Sequence, residues 1–449
     1  MTESKFSILD DARYTRFLRY VAVIVGLGAF TDLYNTATFS GSAFSIEPYF
    51  NMTGSTFGTI ALIFFVGAFI GAIMWGPIVD RIGRKLTFLI DLAIMAVFAF
   101  ISAFSTSVPE LMVFRFFMGV GLGGDFPAAL SLLAEFSPSK VRGRLMTMFW
   151  ILFAVGGMVG TLVAYFLYLH YGTNQLQWRI LLGTGAVPAL VGILLRIRIP
   201  ESPRWLIRKG REKEAAMSIT KLTGVDVNME AFRSVPLSVK YQNFKAFFSK
   251  RFVYISIPLA FAMFLPNSIP GSLGTFSPII LHAFGFSKAD SLLYTAFAFD
   301  GAQAFGAFIV LFIIDRYGRM PTFLIGALGM GVLALLTLYT SHVPAELLVN
   351  IILLSIVSFF WLTVAFNWGS ELYPTAIRGI GTGFDVFVNR ASGASFLLIT
   401  PLLLESYQTS GLFIAFAIFC IAGGLIGGVG LWKAGRAENR TLEEVTEGA

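Results

Sequence analysis

Cysteine and histidine are scarce in this chain of 449 residues. The only cysteine, Cys420, lies in an apolar run and has no second cysteine with which to form an intrachain disulfide. The three histidines, His170, His282 and His342, are isolated, and no group of Cys and His residues has the spacing of metal ligands. A disulfide scaffold is therefore excluded, and we expect no metal, no cofactor and no catalytic residues.

Charged residues are also few, at 13% of the chain, whereas about a quarter is usual in soluble proteins. In their place, 56% of the residues are apolar, 47 are phenylalanine, and the mean hydropathy is +0.75. A chain of this composition cannot cover its surface with polar groups in water, and it is neither disordered nor fibrous. The composition therefore predicts a membrane protein.

Apolar stretches of about 20 residues, the length of a helix that crosses the hydrocarbon core, recur along the whole chain. We predict an all-α integral membrane protein with twelve transmembrane helices, named spans 1 to 12. The first 19 residues are polar, and no removable signal peptide is expected. The predicted spans start near Tyr20, Thr56, Leu86, Leu111, Gly143, Arg179, Phe252, Ser291, Thr322, Leu347, Gly379 and Gly411.

Lysine and arginine are concentrated on one side of this predicted topology. The two tails, the central loop and the other loops on the same side carry 29 of the 33. The positive-inside rule then places both termini and the central loop in the cytoplasm of a multi-pass protein of the plasma membrane.

Two motifs recur at nearly the same spacing. Asp-Arg-Ile-Gly-Arg-Lys at 80–85 is matched by Asp-Arg-Tyr-Gly-Arg-Met at 315–320, and Glu-x-x-Pro-x-x-x-Arg-Gly at 135–143 recurs at 371–379. This repeat predicts two six-helix halves in the same orientation, residues 1–199 and 251–449. A cytoplasmic linker, residues 200–250, joins them, and its segment 210–215 is typical of a short amphipathic helix at the membrane surface.

The charged residues of these repeated loops are candidates for a cytoplasmic gate. Asp or Glu side chains can form charge-assisted hydrogen bonds with Arg between neighbouring helices, and such a network would close this side until it breaks. The alternative is that the charges only anchor helix ends at the headgroups, but the duplication favours the gate. The candidates are Asp80, Arg81, Arg84, Glu135, Arg142, Asp315, Arg316, Arg319, Glu371 and Arg378.

The same loops resemble those of the major facilitator superfamily, and more narrowly its sugar-porter-like branch. The resemblance rests on residues 76–85, on Arg115-x-x-x-Gly119, on Pro-Glu-Ser-Pro-Arg-Trp-Leu at 200–206, on 371–379, and on Arg-Thr-Leu-Glu-Glu-Val at 440–445. This branch includes sugar porters, phosphate:proton symporters, and organic-ion or aromatic-acid symporters. The resemblance implies alternating access, in which the two halves rock around a central site.

Ionisable residues inside the hydrocarbon layer are costly unless they face a cavity or a partner. Asp32 and Asp125 lie in the first half and suit proton coupling, because protonation removes a buried charge and shifts the conformational equilibrium. The alternative is that either one only pairs with an arginine such as Arg115. Five such residues stand out within the spans, while Asp91 and Arg115 lie nearer helix ends: Asp32, Asp125, Asp300, Asp385 and Arg390.

The segments around Asp32 and Asp125 resemble those of phosphate:proton symporters, which have Thr-Asp-x-Tyr-Asp in span 1 and Gly-Gly-Asp-Tyr-Pro in span 4. Here residues 31–35 are Thr-Asp-Leu-Tyr-Asn and residues 123–127 are Gly-Gly-Asp-Phe-Pro. The loss of an acid and a tyrosine argues against phosphate itself. By position, the resemblance implies substrate contacts at Tyr34, Asn35, Phe126, Phe153 and Asn267.

Arg390 falls where organic-ion and aromatic-acid symporters have an arginine and phosphate symporters a lysine. A guanidinium in a dry cavity can hold a carboxylate or a phosphate through two parallel hydrogen bonds. Asn389 lies beside it and is a candidate to orient it or to touch the solute. Structural pairing of Arg390 with Asp385 or Asp300 is the alternative.

Spans 7 and 10 supply further candidates for the substrate path. Residues 266–272, Pro-Asn-Ser-Ile-Pro-Gly-Ser, cannot remain a regular helix, and broken helices near the midplane commonly line such a path. Asn367 and Trp368 of span 10 are expected in the pocket wall. Sugar porters carry a paired glutamine motif in span 7, which this chain lacks.

The leading hypothesis is a secondary active transporter that carries a small polar, anionic metabolite, a carboxylate or a phosphate, together with protons. Its expected partners are this solute, protons and the lipid bilayer, with no nucleic acid, and we expect it to function as a monomer. A sugar or polyol porter is the alternative, and a nutrient sensor on the same fold is less favoured. An enzyme or an ATP-driven pump is not expected, because no nucleophile–base pair and no Gly-Lys-Ser/Thr phosphate loop is present.

Overall fold

The computed structural model describes residues 16–138, 141–223, 247–340, 343–373 and 377–432, and every regular element in these ranges is a helix. The prediction of an all-α chain is thus confirmed for them. The tail motif at 440–445, His342 and most of the linker after Thr223 lie outside the described residues.

The N-terminal half begins with span 1 and a short helix, Ala43–Phe50, at its far end. Span 6 is divided in two at Gly185, where the side chain of Asn35 packs so closely that a Cβ would lie 1.9 Å from its Oδ1 atom. The spans are Arg16–Gly41, Gly54–Ile82, Arg84–Ser102, Val108–Phe136, Arg142–Tyr171, and Gln175–Thr184 with Ala186–Arg196.

The C-terminal half contains two irregular spans. Span 7 breaks between Phe264 and Ser268, as its prolines predict, and then resumes with Pro270 in the first helical turn, where a proline is tolerated. Span 8 contains a π-helical turn, which the sequence did not indicate. The elements of spans 7 to 10 are Lys250–Phe264, Ser268–Ala283, Lys288–Tyr294, the π-helix Thr295–Gly301, Ala302–Tyr317, Arg319–Thr340 and Pro344–Glu371.

Spans 11 and 12 were predicted as separate helices, the second starting near Gly411. In the structure the backbone is helical from Arg378 to Gly430, without a break between the two spans. Both ends of this stretch approach the first turns of span 7. Tyr373, just before span 11, bonds to Ser256 at 2.7 Å, and a Cβ on Gly430 would lie 2.4 Å from the Cβ of Pro258. The chain therefore reverses direction between the two spans.

Within the described residues, eleven helical segments are long and apolar enough to cross a membrane, when the interrupted helices of spans 6, 7 and 8 are each taken as one segment. Residues 378–400, which form span 11, are helical but carry Asp385, Asn389 and Arg390, and these residues lower their hydropathy. The polar side chains that set span 11 apart therefore make it a candidate for a functional helix.

Glycines allow spans 2 and 4 to touch through their backbones. A Cβ on Gly119 would lie 2.1 Å from the carbonyl oxygen of Phe64, and one on Gly123 would lie 2.4 Å from the amide nitrogen of Ala72. Small residues at such crossings let transmembrane helices approach closely. This contact fixes span 4, and with it Asp125 and Phe126, against the rest of the N-terminal half.

The first part of the linker forms two short helices, Pro203–Arg208 and Glu212–Thr223. Ala215, Ile219 and Leu222 are buried on one face of the second helix, while Glu214 is exposed. The predicted amphipathic helix is confirmed. It covers the side of the molecule that the positive-inside rule assigns to the cytoplasm, which we call the cytoplasmic side below.

Candidate functional site

A cavity of about 90 Å³ lies between the two halves. This volume holds several water molecules and therefore has room for a small solute. Among the described residues, the titratable ones that line it are Asp32, Asp300 and Arg390. Seven aromatic side chains form much of its wall, namely Phe65, Phe126, Trp150, Phe153, Phe299, Phe359 and Phe366.

Asp32 and Arg390 form an ion pair that joins the halves at this cavity. The Nη2 atom of Arg390 donates to Oδ2 of Asp32 at 2.5 Å, and the two residues are 7% and 1% exposed. The other carboxylate oxygen of Asp32 has no hydrogen-bond partner among the described residues. The guanidinium also lies 5.3 Å from the centre of the Phe126 ring, a cation–π contact.

Arg390 does not pair with Asp385 or Asp300, the two partners that the sequence suggested. Asp300 instead accepts a hydrogen bond from Thr161, and neither oxygen of Asp385 has a hydrogen-bond partner among the described residues. Asp385 precedes Arg390 by five residues, and at about 100° per residue the two side chains leave span 11 on different faces. Asp385 packs against Gly369 of span 10, where a Cβ would overlap its carboxylate.

Asp125 pairs with Arg196 rather than with Arg115. The Nη1 atom of Arg196 lies 2.9 Å from Oδ1 of Asp125, and both residues are at most 1% exposed. Arg196 also donates to the carbonyl oxygen of Val25 at 2.8 Å. This pair is internal to the N-terminal half and does not line the cavity. Arg196 was not among the ionisable residues selected within the spans, although its apolar neighbours Leu194, Leu195 and Ile197 place it at the end of span 6.

Arg115 is buried as well, at 3% exposure, and its guanidinium lies 4.3 Å from the centre of the Phe39 ring. Burial makes the charge of Arg115 costly. Among the described residues, the guanidinium is compensated by the aromatic face of Phe39 and by the carbonyl oxygen of Asn35 rather than by a carboxylate.

Five of the predicted substrate contacts lie at the cavity. Among them, Asn267 Nδ2 donates to the carbonyl oxygen of Asn389 at 3.0 Å, which ties the break in span 7 to span 11. Asn367 is one layer behind the wall and accepts a bond from Trp150 Nε1 at 3.4 Å. The five at the cavity are Phe126, Phe153, Asn267, Asn389 and Arg390.

Tyr34, Asn35 and Trp368 do not reach the cavity. Tyr34 donates to Thr184 at 2.9 Å, Asn35 bonds to the backbone of spans 1 and 6, and Trp368 packs on Phe323 of span 9. In span 1 the cavity face is formed by residues 32, 33, 36 and 37, so residues 34 and 35 point the opposite way. A role for these three in binding solute therefore has no geometric support.

Three further polar residues, which no sequence motif singled out, line the cavity: Thr36, Thr275 and Gln303. Helical periodicity could have identified two of them. Thr36 lies one turn after Asp32, and Gln303 lies three residues after Asp300, so each shares a helix face with an acid that was selected.

On the cytoplasmic side, the two copies of the repeated motif form the same kind of network. Arg84 lies 3.1 Å from Asp80 and 3.0 Å from Glu135. In the second copy, Arg319 lies 3.0 Å from Asp315 and 2.9 Å from Glu371. Both arginines are at most 1% exposed, so each is a fully buried charge between two carboxylates.

Further contacts of these residues cross between the halves. Arg378 lies 3.0 Å from Glu135. Asp80 accepts a bond from the backbone nitrogen of Ile380 at 3.3 Å, and Asp315 accepts one from that of Arg144 at 3.0 Å. Each Asp thus sits at the N-terminus of a span of the other half, where a negative charge is stabilising. These three contacts join the two halves on the side named cytoplasmic above.

The remaining gate candidates differ in their placement. Arg142 is fully buried at the start of span 5, whereas Arg81 and Arg316 are exposed. The linker adds Glu201, which accepts bonds from the backbone nitrogens of Arg84 and Lys85, both at 3.1 Å, and so caps span 3. Burial raises the pKa of Glu201, and these hydrogen bonds oppose the rise.

The fold and the buried cavity between two bundles are those of a membrane transporter of the major facilitator superfamily. The superfamily's proton:xylose symporter XylE, solved with 6-bromo-6-deoxy-D-glucose bound, matches with a TM-score of 0.85 at 21% identity, over 96% of this chain and 98% of XylE. The profile of the family described as "Sugar (and other) transporter" matches residues 21–448, and the chain belongs to that family.

Curated relatives are similar along nearly their full length. The niacin transporter NiaP of Acinetobacter baylyi is 28% identical over 427 residues, which cover 94% of this chain and 95% of NiaP. The D-xylose transporter of Levilactobacillus brevis is 28% identical over 448 residues, which cover 95% of this chain and 94% of that protein. The prediction of a transporter rather than an enzyme is confirmed.

Proposed function

We propose that this transporter is a proton-coupled symporter of a small carboxylate, in which a proton on Asp32 and an anion on Arg390 bind together. The observation that carries the proposal is the 2.5 Å ion pair between these two residues at the central cavity. The solute class and the coupling to protons both follow from which species can replace the two partners of this ion pair.

The empty site is neutral, because Asp32 and Arg390 compensate each other. A proton alone would neutralise Asp32 and leave a buried guanidinium without a partner, which costs several kcal/mol. An anion alone would face the carboxylate of Asp32 as well as Arg390. When both bind, Asp32 is neutral, the solute carboxylate replaces it on Arg390, and the site is again neutral.

The walls of the cavity favour a solute with an apolar or aromatic body. Phe126 stands edge-on to Trp150, with ring centres 5.5 Å apart, and Phe153 and Phe366 adjoin them. Such surfaces pack well against a planar ring. Arg390, which also lines the cavity, would bind the carboxylate of the same solute. A niacin transporter among the relatives fits this chemistry, because niacin is an aromatic acid.

Alternating access requires the contacts at each end to break in turn. On the cytoplasmic side these are the bonds of Glu135 with Arg378 and of Asp315 with the start of span 5. On the opposite side, Ser40 Oγ donates to the carbonyl oxygen of Thr275 at 2.7 Å across the halves. The gate role of the repeated motifs is part of this proposal.

We assign coupling to Asp32 in preference to Asp125. Asp32 reaches the cavity and changes its environment when solute binds, whereas Asp125 is held by Arg196 away from it. For Asp125 we propose that the pair with Arg196 fixes span 6 to span 4. From the distribution of lysine and arginine we further propose that both termini are cytoplasmic, and that the monomer is the functional unit.

A sugar or polyol porter is the second candidate. Its support is the set of neutral hydrogen-bonding groups at the cavity, Thr36, Asn267, Gln303 and Asn389, together with relatives such as the arabinose-proton symporter of Bacillus subtilis. In that function Arg390 and Asp32 would stay paired, and the solute would bond to the neutral groups.

Uptake into proteoliposomes separates the two candidates. The purified chain is reconstituted, and labelled nicotinate, lactate, phosphate and D-xylose are offered with and without an inward proton gradient. We expect a carboxylate to accumulate only with the gradient, and nicotinate more than lactate. Accumulation of D-xylose without any of the anions would contradict the carboxylate proposal and support the sugar porter.

A further inference from the structure

Two buried polar side chains of span 8 line the cavity with hydrogen-bonding atoms that no described residue uses. Asp300 and Gln303 are each 4% exposed. The Oδ2 atom of Asp300 accepts a hydrogen bond from Thr161 Oγ1 at 2.8 Å. Among the described residues, no hydrogen bond is formed by its other oxygen, Oδ1, or by the side-chain amide of Gln303. Buried polar groups are normally hydrogen-bonded, so this part of the cavity is suited to a polar part of the solute.

The backbone holds the two side chains on one face of span 8. Asp300 lies in the π-helical turn Thr295–Gly301, and such turns are rare and often occur at functional sites. The α-helix resumes at Ala302, and Gln303 follows Asp300 by three residues, a spacing that makes side chains neighbours. Gly157 of span 5 leaves room for the carboxyl group, because a Cβ there would lie 3.0 Å from Oδ1 of Asp300.

Arg390 and Asp300 reach the cavity from two different contacts between the halves. Arg390 lies where span 11 meets span 2, with its guanidinium 5.8 Å from the centre of the Phe65 ring. Asp300 lies where span 8 meets span 5, through its bond with Thr161. Spans 1, 4, 7 and 10 supply the rest of the lining. A solute that is held by its carboxylate at Arg390 can therefore extend across the cavity towards Asp300.

The surroundings of Asp300 favour its neutral form. No ion pair to Asp300 occurs among the described residues, and Arg390 is already paired with Asp32. A carboxylate in a dry cavity without a cation is costly, whereas the neutral acid keeps the bond from Thr161 on one oxygen and can donate from the other. The same reasoning applies to the empty and to the loaded transporter. The proton on Asp300 therefore stays in place, and the coupling proposed for Asp32 is unaffected.

We propose that Asp300 determines substrate specificity by donating a hydrogen bond to a second polar atom of the solute, so that the substrate is an aromatic carboxylate with a hydrogen-bond acceptor, such as a nitrogen, in its ring. This inference rests on the proposed function, in which Arg390 binds the carboxylate. A ring without such an atom would leave the O–H group of Asp300 unpaired in a dry cavity. Sites of this kind discriminate against the analogue that lacks the polar atom.

Nicotinate and benzoate are the pair of probes that tests this proposal, because they differ only in the ring nitrogen. The full chain is reconstituted into proteoliposomes, and uptake of each labelled acid is measured over a range of concentrations under an inward proton gradient. We expect the KM for benzoate to be about tenfold higher than that for nicotinate. A tenfold ratio corresponds to about 1.4 kcal/mol, within the range of one hydrogen bond. Equal KM values would overturn the proposal.

Replacements of Asp300 show whether this residue is the source of the preference. Asp300→Leu removes the donor and should reduce the preference for nicotinate to about twofold or less. Asp300→Asn should keep it, because the amide can accept from Thr161 and donate to the solute as the neutral acid does. Loss of the preference in Asp300→Asn, or its full retention in Asp300→Leu, would contradict the proposal. The matched control Asp290→Asn removes an exposed acid of the same span and should leave both KM values unchanged.

Uptake of benzoate keeps this inference separate from the proposed function. A variant that carries benzoate as the unmodified protein does is folded and retains the site at Arg390. If Asp300→Leu carries neither acid, the KM ratio of the unmodified protein and that of Asp300→Asn decide, and a ratio near one in either would overturn the proposal. If the unmodified protein carries neither acid, the carboxylate proposal fails and this inference fails with it. Transport of both acids with equal KM would contradict this inference alone.

Discussion

Asp32 and Arg390 are 358 residues apart in the sequence and meet at 2.5 Å between the two halves of the transporter. Asp32 belongs to span 1 and Arg390 to span 11, so the pair holds the N-terminal half against the C-terminal half at the level of the cavity. Movement of one half relative to the other must therefore lengthen or replace this contact. A solute carboxylate and a proton are the two species that can replace it without leaving a buried charge uncompensated.

Removing the guanidinium of Arg390 separates the two candidate solute classes. Charge-assisted hydrogen bonds contribute about 1.5–3 kcal/mol, so Arg390→Gln should raise the KM for nicotinate by about 10- to 150-fold. Uptake at a range of nicotinate concentrations measures this. The double variant Asp32→Asn with Arg390→Gln controls for the unpaired acid, because it leaves no charge at either position. An unchanged KM would return Arg390 to a purely structural role.

The buried pair of Asp125 and Arg196 should be needed for stability rather than for coupling. Asp125→Asn leaves the guanidinium of Arg196 buried without its counter-charge, which costs about 3–5 kcal/mol. The single cysteine, Cys420, is buried, so a thiol-reactive dye reports thermal unfolding of the purified protein. We expect a lower Tm for Asp125→Asn.

Removing both charges of this pair provides the control. Asp125→Leu with Arg196→Met replaces the pair by apolar side chains of comparable size and should recover most of the lost Tm. A double variant no more stable than Asp125→Asn would show that the pair is not the source of the loss.

The cytoplasmic network should control access from that side. Met146 is fully buried beneath it and lies 3.9 Å from Ser370 of the other half. In a Cys420→Ser background, Met146→Cys is offered a membrane-impermeant maleimide in inside-out vesicles. Glu135→Gln weakens the bonds to Arg84 and Arg378, and a loss of about 1.4 kcal/mol would speed labelling about tenfold.

Arg81→Gln is the matched control for that experiment. Arg81 belongs to the same repeated motif but is exposed, so its replacement should leave the labelling rate of Met146→Cys unchanged. A similar acceleration by both variants would mean that any change of charge on this face weakens the gate, and it would contradict a specific role of Glu135.

The membrane fold was predictable because its signals are local. Apolar length defines the spans, the prolines around Asn267 break span 7, and the duplicated loops bring Arg84 to Glu135 and Arg319 to Glu371 in the same geometry. Each of these signals lies within a segment of some tens of residues. Hydropathy or steric limits therefore determine the local structure without knowledge of the tertiary structure.

The partners of buried charges could not be predicted in the same way. Asp32, Asp300 and Asp385 were all possible partners of Arg390. The rotation of each helix about its own axis determines that Asp32 is the partner, and the sequence does not show this rotation. Arg196 lies at the end of span 6, four residues before the linker begins at Pro200, and nothing in its own segment indicates that it pairs with Asp125. The π-turn at Asp300 has no signature of its own in the sequence.

The central claim is that a proton on Asp32 is exchanged together with a carboxylate on Arg390, and Asp32→Asn tests it most directly. The amide keeps the shape of the side chain but cannot carry the proton. In proteoliposomes the variant should still exchange internal for external labelled nicotinate, while its accumulation under an inward proton gradient is lost. Gradient-driven accumulation of nicotinate by Asp32→Asn at the level of the unmodified protein would contradict the account.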